Sequence, residues 1–335
     1  MGVITLNLSE IETLISIANQ FTFSPSENPD LFCKEAKTLS LQVPDRIRKS
    51  LLSFVLETDS NEGFLLIQNI PIDDSQIPNT PHGNMYKVGE TTILARIQAI
   101  LLNVVGEMIA YEAEGYGRLF QDVVPMKDMS MVQTSLGSRT ELEIHTEQAF
   151  SKLRPDILSL ACIRSDPEAR TYILPVEYIL ENLSTDEIEC LREPLWKTRV
   201  DMSFKLNGHE FIEGDIRGPL SILNCSSNNN TDSYSSLKKP IITFDQDLMT
   251  GITPESQQMI HKIVDIYYKH RIAHILKPGE IAWIDNRYAV HGRSAFSPKY
   301  DGYDRFLIRA FATLDYSKSE YARPDGNRMV YAVYS

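Results

Sequence analysis

The spacing of apolar positions changes about a third of the way along the chain. In the first part it is helical. Ile11, Leu14, Ile15 and Ala18 share one face behind a capping Ser9. Pro44-Asp45 opens a second helix carrying Ile47, Leu51, Leu52 and Val55. The strongest stripe lies in 92–108, where Ile93, Leu94, Ile97, Ile100, Leu101, Val104 and Val105 align. Between these helices, 63–70 is a short apolar run of strand type. From about residue 116 the pattern becomes strand-like, with β-rich segments predicted at 129–135, 142–150, 156–164 and 170–174. Short helices follow at 176–183 and 185–191, then strands at 198–204 and 241–244. A helix at 254–270 precedes strands at 271–276, 280–285, 289–292 and 305–315.

A helical front end followed by many short strands predicts an α+β chain. Its expected core is a double-stranded β-helix (jelly roll) buttressed by N-terminal and inserted helices. No linker or internal repeat divides the sequence, so one domain over 1–335 is expected, with a helical buttress at 1–115 and the β core at 116–335. The polar stretch 226–236 (SSNNNTDSYSS) has no period and reads as a loop. It belongs to an insert near 205–240 expected to act as a lid.

Composition narrows the function. The 335 residues carry a net charge of -12, with 42% hydrophobic and 23% charged positions. No basic stripe exists to neutralise phosphates, so neither nucleic acid nor an anionic membrane is an expected partner. Cys33, Cys162, Cys190 and Cys225 form no CxxC pair, which predicts free thiols and a reducing, cytoplasmic setting. No secretory leader is expected from the N-terminus, and Leu6 stands where a myristoylation signal needs Ser or Thr. The oligomeric state is open.

The chemistry concentrates at His145-Thr146-Glu147 and at His291. On a strand, residues two apart share a face, so His145 and Glu147 can reach one ion. Two histidines and one carboxylate are the donor set of a non-haem Fe(II) site with open positions. His-x-acid alone is weak: seven histidines and 45 acids in 335 residues give about one chance occurrence. Asp285-Asn286-Arg287 leading to His291, and Arg305 inside an apolar β-run, raise its weight, because a guanidinium there calls for an anion. Two other readings of these residues stay open, a metal-binding jelly roll without redox activity and a zinc hydrolase.

Taken together, these motifs resemble the clavaminate synthase-like branch of the Fe(II)/2-oxoglutarate oxygenases. The resemblance covers roughly 63–315 and is strongest at 129–175 and 279–312. Within that branch the chain is most similar to the free amino-acid hydroxylases acting on asparagine, arginine and lysine. The resemblance implies that His145, Glu147 and His291 hold Fe(II), with O2 and 2-oxoglutarate as co-substrates. Arg305 would pair with the distal carboxylate of 2-oxoglutarate, with Thr171 as a hydroxyl partner. Arg309 would receive the α-carboxylate of the substrate, while Gln133 and Glu147 face its amino group. Ser135 or Ser138, in a glycine-containing closing loop, would touch substrate. Asp245 and Asp247, two acids expected on one side of an extended segment, favour a cationic side chain. The expected reaction is hydroxylation of C3 or C4 of a free L-amino acid, lysine first. Arginine, asparagine and a carrier-tethered amino acid are the alternatives.

Overall fold

The computed structural model describes residues 2–56, 63–73, 75, 77–201, 215–224 and 239–334. Two sheets organise the β structure. The larger runs Gly2–Thr5, Phe64–Gln68, Ile281–Asp285, Ile157–Arg164, Phe306–Thr313, Glu107–Tyr111, Met329–Val330, and Phe120–Val123 also pairs with Phe306–Thr313. The smaller runs Ile272–His274, Thr171–Pro175, Ala289–Arg293, Leu142–His145, all antiparallel.

Strand alternation assigns the faces of the larger sheet. Phe64, Leu66, Leu158, Ile284 and Phe311 join Ile173 and Ala289 of the smaller sheet in one apolar cluster between the sheets. Leu65, Ile67, Ile157, Trp283 and Ile308 point the other way, into a cluster with the N-terminal helices. Both faces are therefore buried, which is why these strands read as continuous apolar runs rather than alternating ones. The helices Leu8–Ala18, Pro29–Ser40, Asp45–Leu56 and Ile93–Val105 supply that outer layer. Behind the smaller sheet, Pro254–His270 and the short helices Val176–Glu181 and Thr185–Arg192 bury Ile144, Tyr172, Leu174 and Val290. No described helix is long and apolar enough to cross a membrane.

Several elements differ from the sequence reading. The first helix is capped by Asn7, in a reciprocal pair with Glu10, not by Ser9. The helix expected to reach 108 stops at Val105. A Cβ on Gly106 would lie 2.4 Å from the Thr313 carbonyl, and a strand begins at once at Glu107. That strand, Phe120–Val123 and the Pro29–Ser40 helix were not anticipated. The 129–135 segment is not a strand but a 3-10 turn at Lys127–Met129 followed by tight turns that fold back on Gly137. The strand expected at 198–204 is Trp196–Arg199. The 226–236 loop lies outside the described residues, as does most of the 205–240 insert. Of its described residues, 215–224 and 239–240, the strand Ile216–Leu220 pairs with Trp196–Arg199 and Leu223–Asn224 with Ile241–Ile242.

Candidate metal and co-substrate site

Cross-strand register builds the centre. His291 on Ala289–Arg293 pairs directly with His145 on Leu142–His145, placing the two rings 4.4 Å apart between centroids. The expected 142–150 strand ends at His145. Glu147 nevertheless returns to the same side, because Thr146 is pinned to Phe244 through its N–H, at 2.7 Å, and its hydroxyl. One donor atom from each of His145, Glu147 and His291 lies within 4.8 Å of the others.

The protonation states suit a cation. His145 Nδ1 lies 2.7 Å from the Glu143 carbonyl, which can only accept, so Nδ1 donates there and Nε2 is the nitrogen left to face an ion. Burial, then the neighbouring His145, lower His291 to about 4, leaving it neutral. Its Nδ1 is buried without a partner, and Nε2 sits 3.4 Å from Glu147 Oε2. Burial alone would raise the Glu147 carboxyl, but Arg309 and then His291 outweigh it and hold it well below the usual range. A neutral His291 and an ionised Glu147, joined by the outward nitrogen of His145, offer the donors a divalent ion requires.

The Asp285-Asn286-Arg287 string has a structural explanation. The Asn286 amide accepts from the Glu147 N–H at 2.7 Å and donates to the carbonyls of Glu147 and Pro155, at 3.1 and 2.9 Å. It therefore clamps the backbone that presents the carboxylate. Arg287 pairs with the buried Asp285 at 2.7 Å and donates to the Val55 carbonyl, fixing the turn against the outer helix.

A cavity of about 630 Å³ opens over the triad. Arg305, Leu307 and Arg309 line it from alternate positions at the Phe306–Thr313 strand, as period two dictates. Arg305 is buried and has no hydrogen-bonding or ion-pair partner among the described residues. Burial lowers it to about 10, a guanidinium that calls for an anion. Thr171 also lines the cavity, and its buried hydroxyl has no partner among the described residues. These orphaned groups fit a carboxylate of an acid co-substrate. Arg309 is instead engaged: it donates to Glu147 at 3.0 Å, to Gln121 at 3.1 Å and to Glu114.

The remaining expected residues divide. Gln133 lines the cavity, but its amide bridges the Glu141 carbonyl and the Glu143 N–H, at 2.9 and 3.1 Å. Its side chain thus makes the ladder bonds that a 129–135 strand would have made. Ser135 lines the cavity; Ser138 does not, being packed in the core of its loop with backbone bonds to Ser130 and Phe296. Asp245 and Asp247 both line it, on a turn rather than an extended segment. Asp245 Oδ1 accepts the N–H groups of Asp247 and Leu248 at 3.0 and 2.8 Å, leaving Oδ2 outside that cap. Burial pushes the Asp245 carboxyl up to about 7, with His145 opposing.

Sequence reasoning missed Glu114, Glu143, Asp201 and Arg293, all in the lining. Glu143 was legible, since it precedes His145 by two on the same strand. Arg293 follows His291 by two in the same way. Glu114 and Asp201 carry no local signal. The cavity is therefore polarised. Arg293 stands in register with Thr171 and shares the lining with Arg305, while Asp245, bridged to the His145 strand, lies in the field of Asp201 and Asp247, and Glu143 in that of Asp247.

Comparison with known proteins agrees with this geometry. The family model described as Taurine catabolism dioxygenase TauD, TfdA family matches residues 27–311. An L-lysine 3-hydroxylase from Catenulispora acidiphila is 45% identical over 334 residues, covering 100% of this chain and 90% of that one. An L-asparagine oxygenase from Streptomyces coelicolor is 29% identical, covering 96% and 92%. Among solved structures, asparagine oxygenase in complex with Fe(II), 2S,3S-3-hydroxyasparagine and succinate superimposes with a TM-score of 0.87 at 28% identity, over 99% of both chains. A chain whose two histidines, carboxylate and unpaired arginine converge in one cavity, and which the family model spans from residue 27 to 311, belongs to the TauD/TfdA family of dioxygenases.

Proposed function

We propose that this protein is an Fe(II)- and 2-oxoglutarate-dependent hydroxylase of a free basic L-amino acid, L-lysine first, acting at C3 or C4. The observation that carries the substrate class is the acidic side of the cavity, where Glu143, Asp201, Asp245 and Asp247 line the same space as the triad. Carboxylates there complement an ammonium and disfavour a neutral amide. The 45% identity with an L-lysine 3-hydroxylase supports lysine, and C3 ahead of C4.

His145, Glu147 and His291 would hold the iron, which when bound would activate O2, one oxygen atom entering succinate as 2-oxoglutarate loses CO2 and the other entering an unactivated C–H bond of the substrate as hydroxyl. The chain's own contribution is placement. Arg305 and Thr171 receive the distal carboxylate of the co-substrate. Arg309 has one Nη1 hydrogen left for the α-carboxylate of the amino acid, with Glu114 and Glu147 beside it for the α-ammonium. Gln133 keeps one amide hydrogen for substrate, and Ser135 borders the same space. Asp245 and Asp247 face the side-chain ammonium. We read the two facing sheets as the halves of a double-stranded β-helix and the chain as a single oxygenase domain. A net charge of -12 without a basic stripe favours a small-molecule substrate over nucleic acid or an anionic membrane, and four cysteines without a CxxC pair favour a reducing, cytoplasmic setting.

The test is a panel of free L-amino acids incubated with enzyme, Fe(II), 2-oxoglutarate and air, read by mass spectrometry and succinate release. Lysine heavier by one oxygen, with stoichiometric succinate, is expected. The same product on asparagine and none on lysine or arginine would overturn the basic-substrate reading. Absence of succinate with every amino acid would overturn the co-substrate as well.

A further inference from the structure

We propose that Arg293 is a second cation for the distal carboxylate of the co-substrate and ties that carboxylate to the loop bordering the substrate. The inference rests on the reading of 2-oxoglutarate as co-substrate. Arg293 is buried in the same cavity as Arg305, and the two guanidiniums flank one ring, 5.2 and 5.9 Å from the centroid of Phe296. On the adjacent strand its register partner is Thr171, so the two side chains leave the sheet on the same face. Among the described residues Thr171 Oγ1 is buried without a partner, and no hydrogen bond or ion pair holds the buried Arg305 guanidinium.

Arg293 makes three hydrogen bonds, all to backbone carbonyls. Nε donates to Ser294 at 3.1 Å, Nη1 to Ser135 at 3.4 Å and Nη2 to Thr140 at 3.2 Å. Carbonyls satisfy donors but do not neutralise charge, and two of the five guanidinium hydrogens remain. Two buried cations over one ring, neither hydrogen-bonded to a carboxylate among the described residues, are costly unless an anion joins them. Ser135 lies in the cavity wall, and Ser135 and Thr140 belong to the loop whose Gln133 also borders the cavity. An anion that draws on Arg293 therefore acts on the geometry of that loop, and charge at one end of the site reaches the wall at the other.

The test measures binding rather than turnover. Enzyme loaded anaerobically with Mn(II) is titrated calorimetrically with 2-oxoglutarate and with 2-oxobutyrate, which keeps the chelating end and lacks the distal carboxylate. Arg293→Met should weaken 2-oxoglutarate by about tenfold or more, the scale of one charge-assisted bond, and 2-oxobutyrate by less than about twofold. Equal losses for both acids would mean a merely structural role and overturn the proposal. Arg293→Lys keeps the charge and loses the fork, so it serves even where the methionine variant fails to fold. In the parent, 2-oxoglutarate should slow amide exchange across 133–140, and in the lysine variant it should bind with that slowing lost. An unchanged exchange rate in the parent would overturn the tie to the loop. A parent that binds the two acids equally would bring down the co-substrate reading first, and this inference with it.

Discussion

Asn286 offers the sharpest test of how the site is held. Its side chain is fully buried and does not line the cavity, yet it makes three hydrogen bonds to the backbone of Glu147 and Pro155. Substitution by alanine strands one buried N–H and two buried carbonyls. An unsatisfied buried group costs about 1–3 kcal/mol, with carbonyls at the low end because they tolerate isolation better. The sum is roughly 3–6 kcal/mol, a large share of the 5–15 kcal/mol that separates a typical domain from its unfolded state. The Glu147 backbone is also released, so the carboxylate loses its aim. Loss of such a supporting partner typically weakens metal affinity by about 10–100-fold. The assay pairs urea denaturation of the metal-free protein with Fe(II) titration at a temperature where the variant is folded. Asn286→Asp is the companion: it keeps the acceptor for the Glu147 N–H but meets two carbonyls with a charge, and should be at least as damaging. A folded Asn286→Ala protein with parental metal affinity would refute the clamp.

Other substitutions separate binding from folding. Arg305→Met removes a buried, unpaired cation. It should stabilise the ligand-free protein by on the order of 1–4 kcal/mol while abolishing the rise in melting temperature that 2-oxoglutarate confers; a lower melting point without ligand would refute the reading. Asp245→Asn keeps the acceptor for the Asp247 and Leu248 N–H groups, so the turn survives. It should raise KM for lysine about tenfold or more and leave a neutral amino acid nearly unchanged, and equal changes would remove Asp245 from side-chain recognition. Glu10 is held below the usual carboxylate range, first by its hydrogen bond from Arg46. A lowered folded value stabilises above the unfolded value, about 4.3, and is lost as pH falls through the folded one. Glu10→Gln should therefore cost about 1 kcal/mol at neutral pH and almost nothing in strong acid, seen as converging denaturation curves.

Much of this protein was fixed by local pattern. The apolar runs 64–67, 157–163 and 281–284 announce strands, and the 93–105 stripe announces a helix, because burial of a face imposes its period on the sequence. His145, Glu147, His291 and Arg305 stood out only in combination, since each pattern alone is weak, and they do converge in one cavity. What the sequence could not carry is register. His145 meets His291 only because two strands far apart in sequence pair at those residues. Arg293 stands beside Thr171 for the same reason. Glu114 enters the site through Arg309, with 195 positions between them in the chain. The 129–135 segment looked like a strand because its residues suit one. Its loop instead closes on Gly137, where a side chain would strike the Val132 carbonyl at 2.3 Å, and only the Gln133 amide is left to pair with the neighbouring strand. The acids at 245 and 247 read as an extended pair, but an Asp245 carboxylate satisfying two backbone N–H groups favours the turn. Period is a property of one element and is written in it. Pairing and charge balance are properties of several elements at once, and only the tertiary structure decides them.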